Sequence, residues 1–332
     1  MKNDEIGIGI VGLGIGRSRA KLVKQTDGAR LVAVCDLDEG RGRKAEKEFQ
    51  TEWIRDYDEM LARNDIDVVM VMTPSGMHAK MGIHAAQAGK HVVTTKPIDV
   101  KLDAIDALIA ACDQAGVRLV TDFNFRYLAN NVRIRRAIEE GRFGKMIFGE
   151  ARLKWYRSQD YYSEGAGWRG TWAMDGGGAL MNQTVHQIDL LQWFMGDVES
   201  VAGQTGIFTH KIETEDIGMA LLTFKNGAFG MILGTTTYPF GSIEPTIEIH
   251  GDAGAVVSAR GELETWQFAD KEFEKQEFTY DGPTNIAEDV VGMLRDGKNP
   301  MVTGPEARKA VEIILAIYES AKRGGEKITL PL

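Results

Sequence analysis

The sequence predicts an α/β protein of two domains. The first is built around a parallel sheet, and the second is an α+β domain on a large, mostly antiparallel open sheet. Three observations carry this. The chain has 332 residues, 43% of them hydrophobic and 26% charged, so it exceeds one ordinary domain and can bury more than one core. Up to about residue 125, short β-branched runs alternate with helical segments, the layout of a sheet covered on both faces. Between about residues 146 and 268, strand-like runs recur at short spacing around turns such as Lys225-Asn226-Gly227, which implies antiparallel pairing. The domains are placed at 1–125 and 126–332, with the last helix free to pack back on the first domain.

In the first domain, runs 6–11, 31–35, 68–72, 91–93 and 118–121 read as strands. Segments 17–26, 39–49, 57–62, 77–88 and 102–115 read as helices. Gly89 and Gly116 fall just past two of these helices, where a left-handed residue is wanted. In the second domain a helix at 131–139 ends at Gly141. Strands follow at 146–156, 198–207, 217–224, 228–235, 246–250, 255–258 and 262–268. Two further helices are expected, at 285–295 and at 305–322, with Pro305 in the first turn of the latter.

One more helix opens from the run Gly176-Gly177-Gly178 and extends to about Trp193. Met181, Val185 and Ile188 repeat at helical spacing as its buried stripe, while Asn182, His186, Asp189 and Trp193 share a second face. A polar face with one histidine beside a glycine run suits the floor of a site. The competing reading is a core helix whose His186 and Asp189 satisfy buried hydrogen bonds.

Composition narrows the function. A net charge of -9 argues against nucleic acid or an anionic membrane as the main partner. The basic runs at 41–47 and 133–136 read as solvated faces. The two cysteines, Cys35 and Cys112, are far apart and in no metal or redox spacing, as in a reducing compartment. No signal-peptide pattern or membrane-length apolar stretch is present, so a cytoplasmic protein is expected. No internal repeat and no metal site are apparent.

The first strand runs into Gly12-Leu13-Gly14-Ile15-Gly16-Arg17, a tight turn that lets backbone N–H groups and a helix N-terminus face a pyrophosphate. Asp36 ends the second strand 20 residues after Gly16, where a carboxylate accepts hydrogen bonds from the adenosine ribose. Asp38 adds negative charge that disfavours a 2′-phosphate, with Arg41 and Arg43 as its counterweight, so NAD is expected before NADP. Two more turns, Thr73-Pro74-Ser75-Gly76-Met77-His78 and Thr94-Thr95-Lys96-Pro97, lie at strand C-termini, where open α/β sheets bind ligands. Residues 154–172 hold three of the six tryptophans and three of the eight tyrosines, enough concentration in one loop to mark a sugar platform. Tyr156, Arg157, Trp168 and Arg169 are its substrate-facing candidates, with the arginines suited to hydroxyls, a carboxylate or a phosphate. Packing of the same aromatics onto the sheet or a neighbouring subunit is the alternative.

The glycine turn at 12–16, Asp36, Thr73-Pro74 with His78, Ala88-Gly89-Lys90-His91-Val92, Lys96-Pro97 and the glycine-led helix ending His186-Gln187-Ile188-Asp189 together resemble the Gfo/Idh/MocA family. The resemblance implies a Rossmann domain followed by an antiparallel-sheet domain. It implies an NAD- or NADP-dependent oxidoreductase acting on a sugar, cyclitol or related derivative, and a homodimer or homotetramer formed through the second sheet. It assigns cofactor contacts to Gly12, Gly14, Ile15, Gly16, Asp36, Thr73, Pro74, Ser75, His78, Thr95, Lys96, Pro97 and Asn124, the last in a junction segment, Phe123-Asn124-Phe125-Arg126-Tyr127. It also implies that His186 is the proton acceptor and that Lys96 holds the reacting oxygen. Asn182, with Asp189, is placed against substrate. Two departures stand out: Asn182 occupies the place of an aspartate in inositol-type members, and Thr95 that of a glutamate. An enzyme that retains NAD while cleaving or epimerising glycosides, and a non-catalytic NAD-binding sensor, remain as alternative functions.

Overall fold

A computed structural model describes residues 5–164, 167–239 and 241–332. By contact the chain divides into two units, Met1–Asn124 with Pro283–Arg308, and Phe125–Gly282 with Lys309–Leu332. Among the described residues no helix is long and apolar enough to cross a membrane.

The first unit runs β1 (Ile6–Val11), α1 (Gly16–Gln25), β2 (Ala29–Cys35), α2 (Glu39–Phe49), β3 (Glu52–Ile54), α3 (Tyr57–Leu61), β4 (Val68–Val71), α4 (His78–Gln87), β5 (His91–Thr95), α5 (Leu102–Ala115) and β6 (Leu119–Asp122). Its six strands are all parallel in the order β3-β2-β1-β4-β5-β6. All of β4, and β1 after its first residue, are buried, as a sheet covered on both faces requires. The order reverses between β1 and β4, so the loops after these strands border the crevice that such sheets use for ligands. The three-residue strand β3 was not expected, being too short to show a strand period. Residues 283–308, which the sequence reading put in the second domain, group here with the first unit. Thr303 bridges Val120, and the Thr121 N–H donates to the Val302 carbonyl at 3.1 Å.

The second unit contains α6 (Ala129–Glu139), β7 (Met146–Lys154), α7 (Gln159–Ser163), a π-helical turn (Ala179–Thr184), α8 (Val185–Met195), β8 (Val198–Gly206), β9 (Ile217–Phe224), β10 (Phe229–Thr235), β11 (Ile243–Gly251), β12 (Gly254–Ala259), β13 (Glu262–Phe268) and α9 (Lys271–Glu274). Then α10 (Ile286–Asp296) belongs to the first unit, α11 (Gly304–Lys322) begins there and ends in the second, and β14 (Ile328–Thr329) closes the chain. The sheet order is β13-β12-β11-β7-β10-β9-β8-β14, antiparallel throughout except for β7 with β10. α8 packs on one face so closely that a Cβ on Gly149 would lie 2.8 Å from Leu191 and Met195 side-chain carbons.

Candidate functional site

In the first unit, the β1–α1 turn is shaped by what presses on it. Gly12 has φ +88°, and a Cβ there would lie 2.6 Å from the Met72 carbonyl oxygen, so the turn must be bare where β4 ends. Gly14 is the opposite case: it is exposed, and a Cβ would meet nothing within 4 Å. α1 then starts at Gly16 without a side-chain cap from Ile15. An uncapped helix start beside an unobstructed glycine fits a pyrophosphate.

Asp36 lies at the end of β2 with its side chain almost wholly buried. Burial pushes its carboxyl up, but the bonds from Arg41 and from the Asp38 and Leu13 N–H groups outweigh it and hold the acid below its ordinary range. At the end of β4 the Thr73 Oγ1 is buried with no hydrogen-bond partner, an orphaned polar atom at the crevice edge of the kind a cofactor can satisfy. His78 lies beneath these loops, not on their open side. It is fully buried, with Nδ1 2.8 Å from the Pro97 carbonyl and Nε2 2.8 Å from that of Thr73. Burial lowers its pKa, and the ring ties the two strand-end turns together. Ser75, Thr95 and Pro97 are also buried, Thr73, Pro74 and Lys96 half-buried, and Ile15 and Asn124 exposed. Lys96 directly follows β5. Burial raises the carboxyl of Asp122, at the end of β6, against the positive charges of Arg19 and Lys96.

In the second unit the glycine run is demanded by a buried acid that the sequence reading did not single out. A Cβ on Gly178 would lie 2.1 Å from the Glu215 carbonyl oxygen, and one on Gly177 2.0 Å from the Tyr318 hydroxyl. The Glu215 carboxylate accepts from the Gly178 N–H (3.1 Å), the Leu180 N–H (2.8 Å) and the Tyr318 hydroxyl (2.9 Å). It thereby caps the π-turn that leads into α8. Burial nevertheless pushes its pKa up to about 7.

That turn presents Asn182 and Gln183. The Asn182 amide donates to Asp175 Oδ1 at 2.5 Å, and its oxygen accepts from Gln183 Nε2 at 2.7 Å. Gln183 also donates to the Tyr161 hydroxyl at 2.8 Å, and its oxygen accepts from Arg157 at 2.8 Å. The guanidiniums of Arg157 and Arg169 lie 5.0 and 4.5 Å from the Tyr161 ring centre. Their hydrogen bonds go to the Tyr156 carbonyl and the Gln183 amide, and to the Tyr161 carbonyl. Among the described residues, neither has a carboxylate within ion-pair distance. Arg169 also lines a cavity of about 520 Å³ with Gln159, Thr171, Lys211 and Glu213. Tyr156 is exposed and Trp168 half-buried, the latter's ring 5.4 Å from Arg169. Residues 165 and 166 of this loop lie outside the described residues. Neither Asp175, Gln183 nor Tyr161 was singled out, because their pairing depends on turns that no local periodicity encodes.

His186 is half-buried and stacks on Phe125, ring centres 4.7 Å apart. Asp189 needs correction as a substrate contact. It is 1% exposed, and both its oxygens accept from Arg126, at 2.7 and 2.8 Å. A carboxylate buried in a bidentate pair is structural; the core-helix reading holds for Asp189.

Comparison with known proteins follows the same division. Residues 6–123 match the model of an oxidoreductase family with an NAD-binding Rossmann fold, and residues 131–257 match the Gfo/Idh/MocA C-terminal domain. Myo-inositol 2-dehydrogenase of Thermotoga maritima is 26% identical, over 98% of each chain. The WlbA dehydrogenase of Bordetella pertussis, solved with NADH and UDP-GlcNAcA, is 34% identical with a TM-score of 0.90, over 99% of each chain. Its counterpart from Chromobacterium violaceum, solved with the same two ligands, is 31% identical with a TM-score of 0.91, covering 100% of this chain and 98% of that one.

Proposed function

The chain belongs to the Gfo/Idh/MocA family of NAD-binding oxidoreductases, and on that premise we propose that it oxidises a secondary alcohol of a negatively charged sugar derivative, a sugar nucleotide bearing a carboxylate. The observation that carries the substrate class is the pair Arg157 and Arg169, two half-buried cations over one tyrosine ring with no carboxylate partner among the described residues. Half-buried guanidiniums without a counter-charge are suited to an anion. The two WlbA dehydrogenases support the choice, since each was solved with UDP-GlcNAcA.

Bound NAD supplies the hydride acceptor. His186 takes the alcohol proton, its ring plane set by the stack on Phe125. Lys96 donates to the reacting oxygen and stabilises alkoxide charge as the C–H bond breaks. The Asn182 amide, locked between Asp175 and Gln183, orients a neighbouring hydroxyl. The cofactor contacts are the backbone of Gly12 to Gly16, Asp36, the turns at 73–75 and 95–97, and Asn124, with His78 supporting those turns from beneath. The same reading places the protein in the cytoplasm, in keeping with two free, buried cysteines. It also makes the protein a homodimer or homotetramer through the uncovered face of the eight-stranded sheet.

The test is oxidation by NAD of UDP-linked uronic acids, their neutral counterparts, inositols and D-apiose, followed at the NADH band. A charged sugar nucleotide should lead, and Lys96→Ala or His186→Ala should cut turnover by at least ~10²-fold with NADH binding retained. Preference for a neutral polyol would remove the role given to the arginines. Unchanged turnover in either variant would remove that residue's role.

A further inference from the structure

Asp36 is expected to receive the adenosine ribose diol, yet its carboxylate is already fully engaged. Oδ2 accepts from the Leu13 N–H at 2.8 Å and from Arg41 Nε at 3.1 Å. Oδ1 accepts from the Asp38 N–H at 2.8 Å and from Arg41 Nη2 at 2.8 Å. A carboxylate offers about four acceptor positions. The two backbone bonds hold the β1–α1 turn and the start of α2, so the diol can take only the two that Arg41 fills. Arg41 is well placed to yield them: its side chain is 54% exposed, and Asp38 offers a second carboxylate at 3.5 Å.

Arg43, the other cation at this strand end, is committed elsewhere. Its guanidinium lies 4.6 Å from the Trp53 ring centre and pairs with Glu46 at 3.1 Å and Glu39 at 3.6 Å. Trp53 is itself fixed by its indole N–H, which donates to the Asp36 carbonyl at 3.1 Å.

We propose that Arg41 sets the enzyme's discrimination between NAD and NADP. It competes with the ribose diol of NAD for Asp36, and once displaced it grips the 2′-phosphate of NADP. A planar guanidinium matches a phosphate as well as it matches a carboxylate. Asp36 and Asp38 repel the same phosphate, so Arg41 is what keeps NADP acceptable at all.

Equilibrium binding of NADH and NADPH, read by nucleotide fluorescence without any sugar, tests this separately from the hydride-transfer reading. Arg41→Met keeps the stem and removes the fork. NADPH should bind at least about tenfold more weakly, the loss of one charged hydrogen bond, while NADH binds as tightly as before or tighter. Asp36→Asn should move the preference the other way, towards NADPH. Arg41→Lys, which keeps the charge but not the fork, should fall between Arg41→Met and the unaltered protein and serves if Arg41→Met does not fold. Equal weakening of both nucleotides in Arg41→Met overturns the proposal, because the guanidinium would then serve a part the two share. No change in either nucleotide overturns it as well.

Discussion

At Glu215 a carboxylate does from a distance in sequence what a serine or aspartate usually does at a helix start. It collects two N–H groups of the glycine-led turn and a tyrosine hydroxyl, all away from water. Burial raises its pKa from 4.5 to about 7. The folded chain therefore holds this proton more tightly than the unfolded chain does. Stability is greatest below pH ~4.5 as far as this group is concerned, falls as pH climbs towards 7, and is level above. At about 1.36 kcal/mol per unit, the loss across the window is about 3 kcal/mol. Glu215→Gln should remove that slope, so denaturant midpoints of the two proteins taken from pH 5 to 8 should converge at one end and separate at the other. Parallel curves would show that Glu215 does not titrate there. This acid was not legible in Thr214-Glu215-Asp216, which reads as a polar turn, because its burial comes from α11 and the glycine run. The place of Asp36 at a strand end was legible, since the apolar run before it defines that end. Asp189 misled because a polar residue on a helix face looks the same whether the face meets ligand or a buried arginine.

Among the elements, two glycine turns make opposite demands on the same substitution. Gly178 is bare because the Glu215 backbone lies against it. Gly178→Ala must push α8's start away, with loss of about 1–3 kcal/mol or more and a fall in Tm of several degrees. Gly14 is bare although nothing of the protein lies near it. Gly14→Ala should leave Tm within about 1 °C, yet weaken NADH binding by at least about tenfold, because the added methyl occupies the space through which a pyrophosphate reaches the helix start. Thermal melts and NADH titration of the pair separate the two causes. A Gly14→Ala protein that binds NADH normally would remove the pyrophosphate from this turn. Both glycine runs were visible in the sequence, whereas their different reasons were not. The i, i+4 periodicity also passed straight through 179–184 as ordinary helix. The chain forms a π-turn there, which shifts Asn182 relative to His186 by a fraction of a turn.

For the molecule taken whole, strand alternation and turn residues were enough to predict a parallel sheet followed by an antiparallel one. They could not reveal that β10 would pair in parallel with β7, since that contact spans 74 residues of intervening chain between Lys154 and Phe229. Nor could they show which face of the large sheet stays uncovered. Register now does: Leu221 lies opposite Met231 and Met219 opposite Leu233, with Phe229 one pair along. Leu221 and Phe229 are each 65% exposed and Met219 49%. A contiguous apolar row on the face away from α8 is the surface through which the proposed homo-oligomer would associate. Two such faces related by a twofold axis would stack row on row and bury what one chain leaves wet. Sedimentation at micromolar concentration should therefore give a twofold or fourfold multiple of the chain mass. Leu221→Arg sets a charge in the middle of the row, opposite Met231, where it has no partner. It should dissociate the assembly while the far-ultraviolet dichroism stays unchanged, because the residue contributes nothing to the face packed by α8. A monomeric unaltered protein, or a Leu221→Arg variant that remains assembled, would assign this face some other occupant.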